Sequence, residues 1–374
     1  MLRTNNRIYQ VVFLLFMYLF INGLFVIKYG ERLKIISEFI ILFGYCFLVL
    51  GILYLFKKYL KKIQEYRSFN ILYWILIFVV FCFFIILNFL IDGNSLNTDR
   101  WSAMQVTIEY ILKGVYPYNQ LDHLGQTSSN LPSLSYLGLP FYMLGNIGLL
   151  QPFVFLGFSF WIFKSNRLQS KKLLIILLLI MSPAYLWEVA AKSDLMSNLL
   201  LLIIFIDYWK EKYNENSFQK LEILAFIVAF FSLTRGIVII PLTLMLFYDF
   251  LKLKIRLKFK FVIIFIISLF VLLLPILLVL PEFEVLSEHN PFNHQTKYAP
   301  KFLIILSLLS PFFLSKYSKS STNVYKITFY VLSFLLIPAF ILNVYEEGFY
   351  NNIYENLFDI SYLGMIIPFI IMSK

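Results

Sequence analysis

Residues 69–91 read FNILYWILIFVVFCFFIILNFLI, with no charged side chain among them. About 20 apolar residues in a helix span the roughly 30 Å hydrocarbon core of a bilayer, whereas in water such a stretch must be buried from end to end. Runs of this kind recur along the 374 residues, which are 60% hydrophobic and only 14% charged. So little polar surface excludes an ordinary soluble domain. The expectation is an all-α, polytopic membrane bundle forming one integral domain, residues 1–374. Spans are predicted near 8–27, 35–56, 69–91, 134–163, 173–187, 195–209, 221–234, 237–250, 261–280, 302–315, 325–343 and 362–373, about twelve in all. Two N-terminal spans (1–68) precede a core (69–250) and a C-terminal group (251–374). The fourth run is interrupted by Gly145-Asn146-Ile147-Gly148, which fits one tilted helix or a re-entrant half-helix followed by a full one. The first run leads into KYGERLK without a small-residue cleavage site and reads as a retained span. Cys46 and Cys82 both sit inside apolar runs, which supports neither a disulfide framework nor a thiolate metal site.

Charge sets the expected orientation. With the N-terminus cytoplasmic, 23 of the 32 Lys and Arg residues fall on the inner side, as the positive-inside rule requires. The net charge of +11 is then a topology signal, and LKLKIRLKFK at 251–260 an inner anchor; no nucleic-acid partner is implied. The same orientation puts 92–133, 188–194, 281–301 and 344–361 outside, together with His123, His289 and His294. The inner connections are short and basic, and no GxxxxGK[ST] sequence occurs, so the chemistry is expected outside and without ATP. The expected location is the plasma (inner) membrane, with the active site on the extracytoplasmic face and membrane lipids as partners. Span centres are nearly free of ionisable residues, which argues against an ion-coupled carrier.

The longest polar stretch, 92–133, carries Asp99 at the start of a predicted amphipathic helix. Asn97 or Thr98 offers an N-cap and Gly114 a stop. Trp101, Met104, Ile108 and Ile111 share one face, with Ser102, Gln105, Glu109 and Lys113 opposite, so the helix is expected to lie on the membrane surface. It would hold Asp99 where a lipid-linked substrate presents its headgroup. The alternative is a solvated loop, but structureless loops of this length usually have a function. One more polar cluster is the hairpin from Ser182 to Asp194, with Glu188 and Lys192. Another is Arg235, alone in an apolar turn, where it would serve as a snorkelling anchor or as a bidentate phosphate clamp. The spacing of His289 and His294 matches no metal site, and Glu346, Glu347, Glu355 and Asp359 read as a solvated, tyrosine-rich rim.

Asp99-Arg100-Trp101, Gly114-Val115-Tyr116-Pro117-Tyr118, Leu131-Pro132-Ser133-Leu134 with Pro140, Lys192-Ser193-Asp194 and the Arg235 turn occur in that order. The arrangement resembles the polyprenyl-phosphate-sugar-dependent glycosyltransferases of the GT-C fold over roughly residues 69–250. Asp99 is followed by Arg100 where many members carry a second acid, and a single Pro132 stands for a common double proline. The resemblance implies a polyprenyl-phosphate-linked sugar donor, a glycan or glycolipid acceptor, and a role in cell-envelope assembly. The expectation is one outer-facing cavity lined by Asp99 as catalytic residue, Lys192, Asp194 and Arg235, with Arg100 also binding substrate and Tyr116, Tyr118 and His123 on the rim.

The chemistry fits these residue types independently. One base takes the proton of the acceptor hydroxyl, and phosphate leaves without a second carboxylic acid. A cation then steadies the departing phosphate. Asp99 suits the base and Arg235 or Lys192 the cation, while Arg100 serves either role or anchors the helix. No cofactor is called for; a divalent metal is compatible but unsupported. The runner-up is a transporter or flippase of lipid-linked or soluble sugars, which needs a polar groove from face to face. A non-catalytic scaffold would scatter Asp99, Asp194 and Arg235.

Overall fold

The computed structural model describes residues 2–373, with the side chains of residues 8–292 and 295–373. Among them the chain is helical throughout, and its only strand-like pairing is an isolated bridge between Leu121 and Thr127. Three long helices open it: α1 (Leu2–Gly30), α2 (Glu38–Lys58) and α3 (Phe69–Leu90). The polar segment holds α4 (Arg100–Leu112), and α5 (Pro132–Met143) and α6 (Leu150–Lys164) follow. Next come α7 (Gln169–Ile180), α8 (Pro183–Ala190), α9 (Leu195–Lys212), α10 (Leu221–Ser232), α11 (Ile239–Lys252) and α12 (Ile255–Leu277). After two short turns of helix, α13 (Lys301–Leu314), α14 (Ser321–Glu347), α15 (Ser361–Gly364) and α16 (Ile367–Met372) complete the bundle.

Six helices are long and apolar enough to cross a membrane, or seven if the bent pair α7–α8 forms one span. This corrects the expected twelve. Several expected spans are too short, and the run at 173–187, expected to be continuous, is broken. Ser182 caps α8 through a bond from the Tyr185 amide and Pro183 occupies its first turn, so α7 and α8 meet at a 60° bend. Gly145, at φ +79°, ends the turn after α5, so the 134–163 run divides into a short helix and the longer stretch Ile147–Lys164. The Thr234-Arg235-Gly236 turn separates α10 from α11, with Arg235 extended. Helices α5 and α10 have 12 residues and α11 and α13 have 14, about 18–21 Å at 1.5 Å per residue. Helix α9 has 18 residues but carries Asp207, Lys210, Glu211 and Lys212 in its last two turns.

Helix α9 is the axis of the packing, buried at most positions from Leu195 to Trp209. At its C-terminal end Asp207 accepts from Arg167 (2.6 Å), Tyr325 (2.8 Å) and Trp161 (3.4 Å), a polar knot inside the apolar core. By contrast, α2 buries 11% and α12 17% of their apolar stretch, so Phe39, Phe43, Phe47, Ile263 and Ile266 face outward. An apolar belt of this extent fits a lipid-facing surface.

Candidate functional site

Residues of the polar connections 92–133 and 281–301, together with 356–362, Trp187 and the end of α1, meet at one end of the bundle. The first connection is ordered from its own side chains. Asp92 accepts from the Asn94 amide (3.0 Å) to start a 3-10 turn over Gly93–Ser95. Asp99 occupies the N-cap of α4, where its carbonyl accepts from the Ala103 amide (2.8 Å) while its carboxylate makes no capping bond. Gly114, at φ +65°, follows the helix, a conformation that Gly adopts without strain.

Helix α4 buries Arg100, Ser102, Ala103, Met104, Thr107 and Ile108, and packs on α5, where Gly138 admits the Met104 sulfur. The expected surface helix is thus corrected to one packed into protein. Ser102, assigned by periodicity to the polar face, is 4% exposed. The cause is residues 115–131 folding back over α4. His123 Nδ1 meets the Ser102 hydroxyl (2.6 Å), its Nε2 lies 3.3 Å from the Leu96 carbonyl, and Thr107 donates to Ser128 (2.7 Å).

Asp99 lines a polar cavity of about 380 Å³ at this end. Arg100, Lys28, Lys297 and Asp359 supply its other charges, and Tyr29, Trp187, Tyr298 and Tyr362 give it aromatic walls. Arg100 is committed: its guanidinium forms an ion pair with Asp359, donates to Ser361 (3.3 Å) and lies 5.5 Å from the Tyr362 ring centre. Burial would lower the Arg100 pKa, but Asp359, Tyr362 and Asp99 more than offset it and hold it well above its usual value. For Asp359, burial would raise the carboxyl; Arg100 and the Ser361 hydroxyl and amide outweigh burial and hold it below its usual range. Burial, aided by Asp359, pushes the Tyr298 phenol up to about 12. The carboxylate of Asp99 makes no hydrogen bond or ion pair among the described residues, and neither do the ammonium groups of Lys28 and Lys297. Lys28 is 6% exposed, so its charge is enclosed within the cavity wall.

Tyr298 and Tyr362 also line a second, almost wholly apolar cavity of about 210 Å³ between α11, α13 and α14. Arg235 reaches its edge. This arginine is buried and forks onto Asp194, with Nε and Nη2 donating to the two carboxylate oxygens at 2.8 and 2.7 Å; Nη2 also donates to Asn130 (3.1 Å). Asp194 is itself fully buried at the N-cap of α9. Beside it, Glu188 accepts from the Met196 amide (2.6 Å), the Ser197 amide (2.5 Å) and the Ser197 hydroxyl (2.7 Å), closing the positive end of the helix. Gln295, in the wall of the apolar cavity, accepts from the Gly236 amide (2.9 Å) and donates to the carbonyl of Ser129 (2.8 Å), a residue of the polar one.

The structure therefore divides the sequence-assigned residues. Asp99 and Arg100 face the polar cavity, Arg235 borders the apolar one, and Asp194 sits behind Arg235 with no access to either. Lys192 lines neither; it holds a left-handed turn (φ 53°) against Gly148, and burial lowers its pKa, opposed by Asp92. Tyr116 and Tyr118 pack edge to face and are buried with Ile276 of α12, away from both cavities. His123 pins the loop to α4 against Trp101. Tyr116 donates to the His289 carbonyl (3.5 Å), and the side chain of His294 lies outside the described residues.

Lys28 and Glu188 were not singled out as site residues by sequence reasoning, and Asp359 read as solvated rim. A lysine at the end of a long, largely apolar run looks like any helix-end anchor, and nothing in the sequence brings 359 to 100. No family model, no curated protein and no solved structure matches the chain.

Proposed function

We propose that the protein is an integral membrane glycosyltransferase that moves a sugar from a polyprenyl-phosphate donor to an acceptor hydroxyl, on the extracytoplasmic face of the plasma membrane. The observation that carries the reading is the pair of cavities sharing Tyr298 and Tyr362: one polar and charged, the other apolar. That pairing suits an amphiphile with an anionic, sugar-bearing head and a hydrocarbon tail. The aromatic walls suit the apolar faces of a sugar ring.

In this reading Asp99, the unpaired carboxylate, accepts the proton of the acceptor hydroxyl as its oxygen bonds to the anomeric carbon. The bond from that carbon to the phosphate oxygen breaks, and the phosphate leaves with the electron pair. Lys28 and Lys297, unpaired in the cavity, are better placed to meet its charge than Arg235, whose fork is filled by Asp194. Arg100, tied to Asp359, holds the start of α4 and so the position of Asp99. The polar cavity is lined from one end of the bundle only, which weighs against a face-to-face conduit for a transporter.

The test is to incubate purified protein with a panel of polyprenyl-phosphate sugars and candidate acceptors and to detect polyprenyl phosphate. Release that survives intact in Asp99→Asn would remove the base and with it the mechanism.

A further inference from the structure

At the opposite end of α9 and α11 lies a second polar cavity, about 470 Å³, which the proposed transfer does not use. It is built where 210–220, the end of α11 and 315–319 converge. Lys210, Lys252 and Lys319 face Asp249 and Glu215 across it. Asp249 is already engaged: it accepts from the Ser217 hydroxyl (2.9 Å) and stands 3.7 Å from both Lys210 and Lys252. Lys319 is exposed and forms no ion pair among the described residues. Ser318, 3% exposed, lines the same cavity, and its hydroxyl has no hydrogen-bond partner among the described residues. An unused buried hydroxyl beside a surplus of ammonium groups is a set of donors arranged for an acceptor such as phosphate.

Phe218 forms part of this cavity and also of an open apolar slot of about 610 Å³ between α11 and α12. Leu246, Phe250, Phe261 and Phe265 line the slot, and α12 is one of the helices long enough to cross a membrane. A charged pocket thus borders an apolar groove at one shared side chain, Phe218. The pairing suits a single amphiphile with a charged head and a hydrocarbon chain.

We infer that this is a binding site for an anionic glycerophospholipid of the membrane leaflet at this end. The phosphate sits among Lys210, Lys252, Lys319 and the Ser318 hydroxyl. Headgroup hydroxyls donate to Asp249 or Glu215, and an acyl chain lies in the slot against Phe250 and Phe261. The site is separate from the sugar-transfer cavity, so it stands whether or not that reading holds.

The test uses the full chain in a non-ionic detergent, with lipid adducts counted by native mass spectrometry. Dioleoyl phosphatidylglycerol is expected to be retained in preference to dioleoyl phosphatidylcholine. Lys252→Gln and Lys319→Gln should each weaken its retention about fivefold, the usual contribution of one cation to an anionic lipid surface. Lys316→Gln, a neighbouring cation outside the cavity, should leave retention unchanged. Equal retention of the two lipids, or equal loss in all three variants, would overturn the proposal. So would displacement of the lipid by inorganic phosphate at the same concentration, since the groove would then contribute nothing.

Discussion

Replacing Arg235 by Met should damage the fold more than any direct loss of substrate contact. Asp194 is 0% exposed and Arg235 3% exposed, and two charge-assisted bonds of 2.8 and 2.7 Å join them. At a charge separation of about 4 Å and an effective dielectric near 20 the attraction is about 4 kcal/mol. Removing one partner also strands the other charge away from water, and such losses run to about 3–5 kcal/mol. Arg235→Met and Asp194→Leu should each destabilise by that amount. Arg235→Lys keeps the charge but loses the fork, and should cost about 1.5–3 kcal/mol, one charged hydrogen bond. The double variant Asp194→Leu with Arg235→Met should be more stable than either single variant, because no charge is left unpaired. Denaturant unfolding of the four proteins in a mild detergent closes the cycle. Single variants within about 0.5 kcal/mol of the parent, the range of ordinary surface changes, would refute the reasoning.

Asp99→Asn should leave unfolding unchanged, since its carboxylate makes no hydrogen bond or ion pair among the described residues, and lower the proposed glycosyl transfer by about 100- to 10,000-fold. The pH dependence of stability reports on Asp359, whose carboxyl is held below the usual 3.8. A depressed native value stabilises the fold above the unfolded value, and that contribution fades as pH falls through the native one. Melting followed from pH 7 to pH 3 should therefore decline at the acid end, and Asp359→Asn should flatten that part of the curve. Gly148→Ala would place a methyl carbon 2.2 Å from the Asn88 amide nitrogen and 2.7 Å from the Lys192 Cδ. It should cost about 1–3 kcal/mol by overpacking, read in the same unfolding assay.

The helical class, the membrane-length runs at 8–27, 35–56, 69–91 and 325–343, and the helix beginning at Asp99 were legible from hydropathy and end signals alone. What hydropathy misjudged was helix length. The breaks at Gly145 and at Thr234-Arg235-Gly236 were legible, but the helices of 12 to 14 residues that they bound were counted as spans, and the Ser182-Pro183 bend was read inside one. The face of α4 was misread because periodicity tells which residues share a side, not what covers that side; here Ser128 and His123 cover part of it. At the site, Asp99 and Arg100 were accessible as polar residues in a long connection. Their partners were not, because Asp359 and Lys28 come from the two ends of the chain and only packing brings them together.

The short helices have a consequence for the lipid around them. Helices α1, α2 and α3 match a full hydrocarbon layer, but α10, α11 and α13, at about 18–21 Å, fall well short of its roughly 30 Å. In a bilayer, acyl chains bordering such helices would compress or splay, at a fraction of a kcal/mol for each ångström of mismatch. In a bilayer, lipid beside α11 and α13 would therefore border shorter helices than lipid beside α1, α2 and α3. That is where the apolar cavity lies, between those helices and α14. In the proposed reading, an isoprenoid-linked donor entering from this side would meet a thinner leaflet on its way to Tyr298 and Tyr362.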